Sequence, residues 1–103
     1  MTRGDVCWAD LPEEGRRPVV VLTRDVAIPL LHRLTVVPLT RTIRGLPTEV
    51  PLGTDDGMPH ECVINLDSVR QVRRSRLGER ITSLSGPKMH EVCNALAIAT
   101  GCR

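Results

Sequence analysis

One segment constrains the fold more than any other: the unbroken apolar stretch from Pro18 to Leu22, which contains three consecutive valines. β-branched residues favour extended backbone, and a continuous apolar run of this length is typical of a strand that is covered on both faces. Trp8 is the only aromatic residue in the chain. The core on either side of the strand must therefore be built from valine, leucine and isoleucine.

Several other short segments have the composition of strands and are separated by turn signals. We expect these strands at Arg3–Ala9, Leu34–Thr40, Thr48–Leu52, Glu61–Leu66, Ser68–Arg73 and Glu79–Leu84. The proline- and glycine-marked segments between them are expected to be loops or turns: Pro12–Arg16, Arg41–Leu46 and Gly53–Pro59. Pro38 cannot donate to a ladder, so it should lie at an edge or a bulge. The pattern predicts a mainly β (α+β) fold of about five to seven short strands, arranged as a small barrel or folded sheet.

The C-terminal segment carries the signals of one α-helix. Ser85 is placed to cap it, Pro87 falls in its first turn, and Gly101 follows its last periodic residue. An apolar stripe with helical spacing is expected to pack on the sheet: Met89, Val92, Cys93, Leu96 and Ala97. With 103 residues, the chain is expected to form a single domain over 1–103.

Composition and missing motifs narrow the possible functions. The net charge of +2 indicates no particular partner, although thirteen of the fourteen basic residues are arginines, whose planar fork matches phosphate oxygens. The four cysteines form no CxxC pair, which argues against a zinc ribbon, and reduced thiols fit a cytoplasmic protein. No apolar run approaches the ~20 residues of a membrane span. The serine-hydrolase elbow, the zinc-protease motif, the phosphate loop and the dinucleotide fingerprint are all missing.

Two positions can contact a phosphodiester. Arg17 lies where a loop enters the Pro18–Leu22 strand, and Pro18 biases its backbone toward an extended conformation. A guanidinium group held there can bind a phosphodiester and stabilise charge that develops on it. Thr40 ends the next strand, and its hydroxyl can bond a phosphate oxygen. Taken alone, both residues are better explained as solvated polar positions than as parts of a site.

Several motifs resemble the MazF/PemK family of toxin endoribonucleases. They are RGDVCWADL from Arg3, GRRPVVVL from Gly15, VVPLT from Val36 and ECVINLDSVR from Glu61. Their order and spacing match the family over nearly the whole chain. The resemblance implies an SH3-like barrel with a C-terminal helix, assembled as a homodimer. It also implies sequence-selective cleavage of single-stranded RNA without a metal or other cofactor, by attack of the RNA's own 2′-hydroxyl.

The resemblance also implies roles for individual residues. Arg17 and Thr40 match the family's catalytic positions. Substrate-binding positions are expected at Arg16, Thr23, Arg24, Arg41, Asp67 and Ser68. The general base stays open among Glu13, Glu14 and Asp67. The partner expected of such a toxin is a cognate acidic antitoxin whose disordered tail folds over the RNA groove.

The chain departs from the family pattern in places that matter for specificity. The Pro12–Arg16 loop is shorter than is usual, and Arg24, Cys62 and Ser68 replace the residues common at their positions, so a base preference cannot be transferred. Two alternatives remain: a gyrase-poisoning toxin of the same fold that acts by binding a protein, and an inactive binding module. Cleavage of single-stranded RNA in the presence of EDTA distinguishes the nuclease from both.

Overall fold

A computed structural model describes residues 1–102. The domain expected over 1–103 therefore includes Arg103, which lies outside the described residues. The strands are β1 (Asp5–Leu11), β2 (Gly15–Val21), β3 (Arg33–Thr40), β4 (Glu49–Leu52), β5 (Cys62–Asn65), β6 (Arg70–Arg73) and β7 (Leu77–Ser83). One α-helix, α1 (Gly86–Thr100), follows them. This confirms the mainly β fold with a C-terminal helix.

The strands form one curled antiparallel sheet with the order β4-β5-β3-β2-β1-β7. β6 also pairs with β3, beside the first half of that strand, while β5 pairs with its last residues. The sheet curls into a small SH3-like barrel. A 3₁₀ turn after β4 (Thr54–Asp56) meets β7, where the Thr82 hydroxyl donates to the Asp56 carbonyl oxygen at 3.0 Å.

β2 separates two apolar cores. Val20 belongs to the core beneath α1, together with residues of β3, β4 and β5. Val19 and Val21 point the other way, into a core built with β1, β3 and β6. All three valines are fully buried. The prediction that this strand is covered on both faces is therefore confirmed.

α1 begins and ends where its capping signals predict. The Ser85 hydroxyl accepts a hydrogen bond from the Lys88 backbone N–H at 3.2 Å, and Gly101 takes the left-handed conformation at the C-cap. The predicted apolar stripe is only partly correct. Met89, Val92 and Ala95 are buried, whereas Cys93 is exposed because the helix turns Ala95 and Ala99 toward the core instead.

The structure corrects three details of the strand predictions. β2 already begins at Gly15, so the turn before it comprises only residues 12–14. Ser68 lies in a 3₁₀ turn (Leu66–Ser68), and β6 begins two residues later. Pro38 lies inside β3, which has neighbours on both sides. It is tolerated because it falls where β3 changes partner from β6 to β5, so its missing N–H removes no ladder bond there.

Two further findings concern the described residues as a whole. All four cysteines are free thiols. None of the helices in residues 1–102 has the length and apolar character needed to cross a membrane.

Candidate active site

Arg17 and Thr40 are brought together by the pairing of β2 with β3. Val19 pairs with Pro38 in this antiparallel ladder, and continuing the register by two residues places Arg17 opposite Thr40. Side chains directly opposite each other in such a pair point to the same face, with Cβ atoms about 5 Å apart. The Arg17 side chain bridges the two strands, since its Nη2 donates to the Leu39 carbonyl oxygen at 2.7 Å.

Glu14 holds the Arg17 guanidinium from the other side. Arg17 Nη1 donates to Glu14 Oε1 at 3.0 Å, and the second oxygen of the same carboxylate pairs with Arg70. The hydrogen bond from Arg70, with further help from Arg17, holds the pKa of Glu14 below its usual value. Glu14 is therefore a carboxylate at neutral pH, clamped between two arginines that fix its position.

Two depressions meet at Arg17 and Thr40. An apolar cleft of about 440 Å³ is lined by Trp8, Arg17, Pro18, Leu39, Thr40, Arg41, Met58, Pro59, His60, Cys62 and Ile81. A polar cleft of about 240 Å³ is lined by Glu14, Arg17, Pro38, Thr40, Thr42, Arg44, Asn65, Ser68 and Arg70. Arg17 and Thr40 are the two residues common to both. A ligand that extends from one cleft into the other must pass them.

The hydroxyl of Thr40 is fixed but retains its own proton for a ligand. Its oxygen accepts a hydrogen bond from the Thr42 backbone N–H at 3.1 Å. A threonine hydroxyl can accept and donate at once. Thr40 can therefore donate to an oxygen atom placed between its side chain and the Arg17 guanidinium.

Trp8 forms one wall of the apolar cleft, and Arg16 covers its ring. The guanidinium carbon of Arg16 lies 4.6 Å from the ring centroid, a cation–π contact. Cys62 lies in the same cleft, and burial raises the pKa of its thiol. The thiol is therefore neutral and serves as apolar lining.

The sequence matches a known protein family over almost its whole length. A model described as "PemK-like, MazF-like toxin of type II toxin-antitoxin system" matches residues 2–100. The chain belongs to this PemK/MazF family. The resemblance inferred from the motifs is thus confirmed.

Relatives of known name or structure agree with this assignment. The "probable endoribonuclease MazF5" of Mycobacterium tuberculosis is 48% identical over 101 residues, covering 97% of this chain and 93% of the relative. The solved structure of the M. tuberculosis toxin MazF-mt6 superposes with a TM-score of 0.88 at 33% identity, covering 94% and 96% of the two chains. A mycobacterial endoribonuclease in complex with its cognate antitoxin superposes with a TM-score of 0.90 at 26% identity, covering 100% and 97%.

Some of the positions expected from the PemK/MazF resemblance cluster in this site and others do not. Arg41 lines the apolar cleft and Ser68 lines the polar one. Arg16 lies at the rim over Trp8. Asp67 lines neither cleft, and its carboxylate instead accepts a hydrogen bond from the Thr48 hydroxyl at 2.7 Å.

The remaining two expected positions lie far from Arg17. Thr23 and Arg24 follow the other end of β2, roughly 20 Å along the strand. Thr23 is buried, and its hydroxyl oxygen accepts from the Thr35 backbone N–H at 2.7 Å, which gives it a structural partner. Of the three candidate general bases, Glu14 is the one that contacts Arg17.

Several residues of the polar cleft were not anticipated from the sequence. Arg70, Asn65 and Thr42 come from three different parts of the chain, and only the pairing of β6 and β5 with β3 brings them to Arg17. Arg70 lies in one of the motifs that carried the family resemblance. Nothing in its sequence neighbourhood distinguishes it from the other arginines, because its partner Glu14 is 56 positions away.

Proposed function

We propose that this chain is a toxin endoribonuclease that cleaves single-stranded RNA at Arg17 and Thr40. The observation that carries the proposal is the meeting of the apolar and polar clefts at these two side chains. The endoribonuclease names of the relatives support the reaction class. The proposed reaction needs no metal ion: the substrate's 2′-hydroxyl attacks the adjacent phosphorus and leaves a 2′,3′-cyclic phosphate and a 5′-hydroxyl end.

Arg17 stabilises the charge of the phosphorane in this reaction. A guanidinium group has several N–H donors arranged in a plane. One Arg17 bond to Glu14 and one to Leu39 fix the plane, which leaves the remaining donors for a phosphate without further reorganisation of the side chain. Electrostatic groups fixed in advance in this way are the most effective at stabilising developing charge.

Thr40 and Glu14 position the reacting groups. Thr40 donates to a non-bridging phosphate oxygen, which sets the phosphorus between the two strands. Glu14 keeps Arg17 and Arg70 in place through its paired carboxylate oxygens. Its lowered pKa makes Glu14 a weak proton acceptor, so its main contribution is positioning.

The proposal is tested by incubating the purified chain with single-stranded RNA in EDTA and analysing the product ends. We expect cleavage that leaves 2′,3′-cyclic phosphate. Arg17→Ala should lower the single-turnover rate at least ~100-fold, because a fixed donor to the transition state is lost. Arg24→Ala is the matched control, since it removes the same charge roughly 20 Å away along the strand.

Three results would contradict this proposal. Intact RNA with a folded, antitoxin-free chain would favour a gyrase poison or a binding module. Cleavage abolished by EDTA would refute the metal-independent reaction. An equal loss in Arg17→Ala and Arg24→Ala would remove Arg17 from the active centre.

We further propose that a cognate acidic antitoxin and a second copy of the chain are the protein partners. The endoribonuclease–antitoxin complex among the structural neighbours supports the first. The arginines around the polar cleft attract an acidic tail as well as RNA. Large apolar side chains exposed on the monomer support the second: Val26, Leu30, Leu31, Ile43 and Ile98. Light scattering at working concentration checks the dimer, and a monomeric mass would contradict it.

A further inference from the structure

A second positively charged depression lies away from Arg17 and Thr40. It has a volume of about 440 Å³ and is lined by His32, Arg33, Arg73, Arg74 and Ser75. We call it the distal basic cleft. It lies at the start of β3, while Thr40 lies at the end of the same strand, so the two are roughly 24 Å apart along the ladder.

The arginines of the distal basic cleft are placed so that they repel one another. Arg33 and Arg73 lie directly opposite each other in the β3–β6 ladder. Like charges in this position destabilise a sheet. The ion pairs found within residues 1–102 involve Arg17, Arg70 and Lys88, and none includes Arg33, Arg73 or Arg74. The repulsion is therefore left uncompensated in the monomer, as expected for a site that an anion neutralises.

The floor of the cleft is rigid. The Arg74 guanidinium donates to the Ile28 carbonyl oxygen at 2.7 Å, and its backbone N–H donates to the His32 carbonyl oxygen at 2.8 Å. Arg33 and Arg73 are exposed beside it. A fixed guanidinium flanked by two exposed ones presents several donors to phosphate oxygens, which arginine binds through its planar fork.

The lining of the distal basic cleft favours a nucleic-acid backbone over a protein. Its five lining residues are charged or polar, and the exposed apolar Leu30 and Leu31 that precede His32 are not part of the lining. A disordered acidic peptide that orders on binding must bury apolar surface to offset the entropy it loses. A phosphate backbone needs no apolar contact, since charge and hydrogen bonds to phosphate supply most of its affinity.

We propose that the distal basic cleft binds phosphates of the RNA strand several nucleotides away from the scissile bond. The path crosses β6, which among the described strands pairs with β3 alone and so forms an edge. Arg70 at its first residue lines the polar cleft and Arg73 at its last lines the distal one. Residues three apart in a strand face opposite sides of the sheet, so the RNA passes around this edge from one cleft to the other. At a rise of about 3.4 Å per stacked nucleotide, the ~24 Å separation corresponds to about seven nucleotides. This inference depends on the proposed function and adds an extended substrate to it.

The test compares a long and a short RNA, both made non-cleavable by 2′-O-methylation. One has about fifteen nucleotides and reaches both sites. The other has two nucleotides and reaches only the Arg17–Thr40 clefts, because Arg70 of the polar cleft lies about 10 Å along β6 from Arg73. Dissociation constants are measured over a range of salt concentrations for wild type, for Arg33→Gln/Arg73→Gln, and for the control Arg80→Gln/Lys88→Gln, which removes the same charge at two positions that line none of the three clefts. Arg74 is left intact because it bonds the backbone.

For the long RNA, we expect Arg33→Gln/Arg73→Gln to weaken binding roughly tenfold or more at low salt and to reduce the slope of log affinity against log salt by about 1.4. Binding of the short RNA should not change, and the control should behave like wild type. The melting temperature of the double variant should be equal to or above that of wild type, because a repulsive pair has been removed.

The outcomes separate this proposal from the proposed function. If the wild-type chain binds neither RNA, the endoribonuclease proposal fails and this one fails with it. If it binds both and the slope for the long RNA is unchanged in the double variant, only the distal site is refuted. An equal loss on both RNAs also refutes it. Unchanged RNA binding together with lost binding of a polyglutamate peptide would assign the cleft to an acidic protein instead.

Discussion

Trp8 is a reporter for the apolar cleft because it is the only aromatic residue in the chain. Its ring is half-buried, lines the cleft and is covered by Arg16. A nucleobase that enters the cleft has this ring to stack on, and such stacking contributes about 1–3 kcal/mol per base.

We therefore expect a non-cleavable RNA to quench the fluorescence of Trp8, while inorganic phosphate leaves it unchanged. Trp8→Leu should weaken RNA binding by about 1–3 kcal/mol. The measurement is a fluorescence titration at constant ionic strength. An identical response to phosphate would show that the signal follows charge at Arg17 and not base stacking.

Asp5 is a buried carboxylate whose partners all lie near the chain terminus or on β7. It accepts hydrogen bonds from the Thr2 backbone N–H at 2.9 Å, the Thr2 hydroxyl at 3.0 Å and the Ser83 hydroxyl at 2.6 Å. Burial raises the pKa of Asp5, but the hydrogen bonds from Ser83 and Thr2 outweigh it, and the net pKa is lowered. The ionised form thus stabilises the join between β1 and β7.

The lowered pKa of Asp5 makes its contribution to stability depend on pH. A lowered folded-state pKa means that the unfolded chain binds more protons, so this contribution is complete above the unfolded value near 3.8 and is lost as pH falls through the folded value. Asp5→Asn should cost about 1–3 kcal/mol at neutral pH. Urea unfolding should show a smaller loss between pH 5 and pH 3 for the variant than for wild type. A parallel loss in both proteins would contradict the assignment.

The β1–β2 hairpin is tighter than its sequence indicates. The Glu14 backbone N–H donates to the Leu11 carbonyl oxygen at 3.2 Å, with Pro12 as the second residue of the turn and Glu13 as the third. Glu13 has φ of 71°, the left-handed conformation that a type II turn requires and that glutamate rarely adopts. The turn that delivers Glu14 to Arg17 is therefore strained.

Asparagine tolerates the left-handed conformation better than glutamate. We expect Glu13→Asn to raise the free energy of unfolding by about 0.5 kcal/mol and Glu13→Val to lower it by about 1–2 kcal/mol. RNA cleavage should be unchanged in Glu13→Asn, since Glu14 keeps its place. Chemical denaturation of the three proteins measures the order, and a destabilised asparagine variant would show that the strain lies elsewhere.

At the level of elements, the sequence predicted the structure correctly where local signals such as an apolar run or a capping residue determine it. It failed where the pairing of distant segments determines it. The valine run, the Ser85 cap and the Gly101 C-cap needed only local signals. The start of β2 was hidden because Glu13 occupies a turn position where glycine or asparagine is expected. Cys93 was wrongly predicted on the buried face of α1, because the side of the helix that is buried depends on how α1 packs against β4 and the sheet. Arg17 and Thr40, which line both clefts, were proposed from the family motifs. Arg70 was not, because its place in the polar cleft depends on a strand register that the sequence does not encode locally.

Closure of the whole molecule depends on a glycine. Gly57 follows the 3₁₀ turn after β4 with φ of 88°, and a Cβ there would come within 2.9 Å of the Thr82 Cβ on β7. The backbone at Gly57 and the side chain of Thr82 are therefore close together where the two ends of the curled sheet, β4 and β7, approach each other. No residue with a side chain can take this position without pushing β7 away.

We expect Gly57→Ala to destabilise the chain by about 2–4 kcal/mol, combining left-handed strain with overpacking. Gly86→Ala is the matched control, because a Cβ at Gly86 has no heavy atom within 4 Å. Thermal and urea unfolding compare the variants. Equal stability of Gly57→Ala and wild type would mean that the sheet ends are not held at this contact.

The position of β2 between two cores has a consequence for how the molecule opens. Turns and edge strands can open locally at a small cost in free energy. The alternate side chains of β2 belong to two different cores, so β2 can open only when both cores come apart. The amide protons of Val19, Val20 and Val21 should therefore be among the last to exchange with solvent. Arg17 is anchored two residues from the first of them, so the guanidinium that we propose to act on RNA lies next to the segment of the chain that is expected to open last.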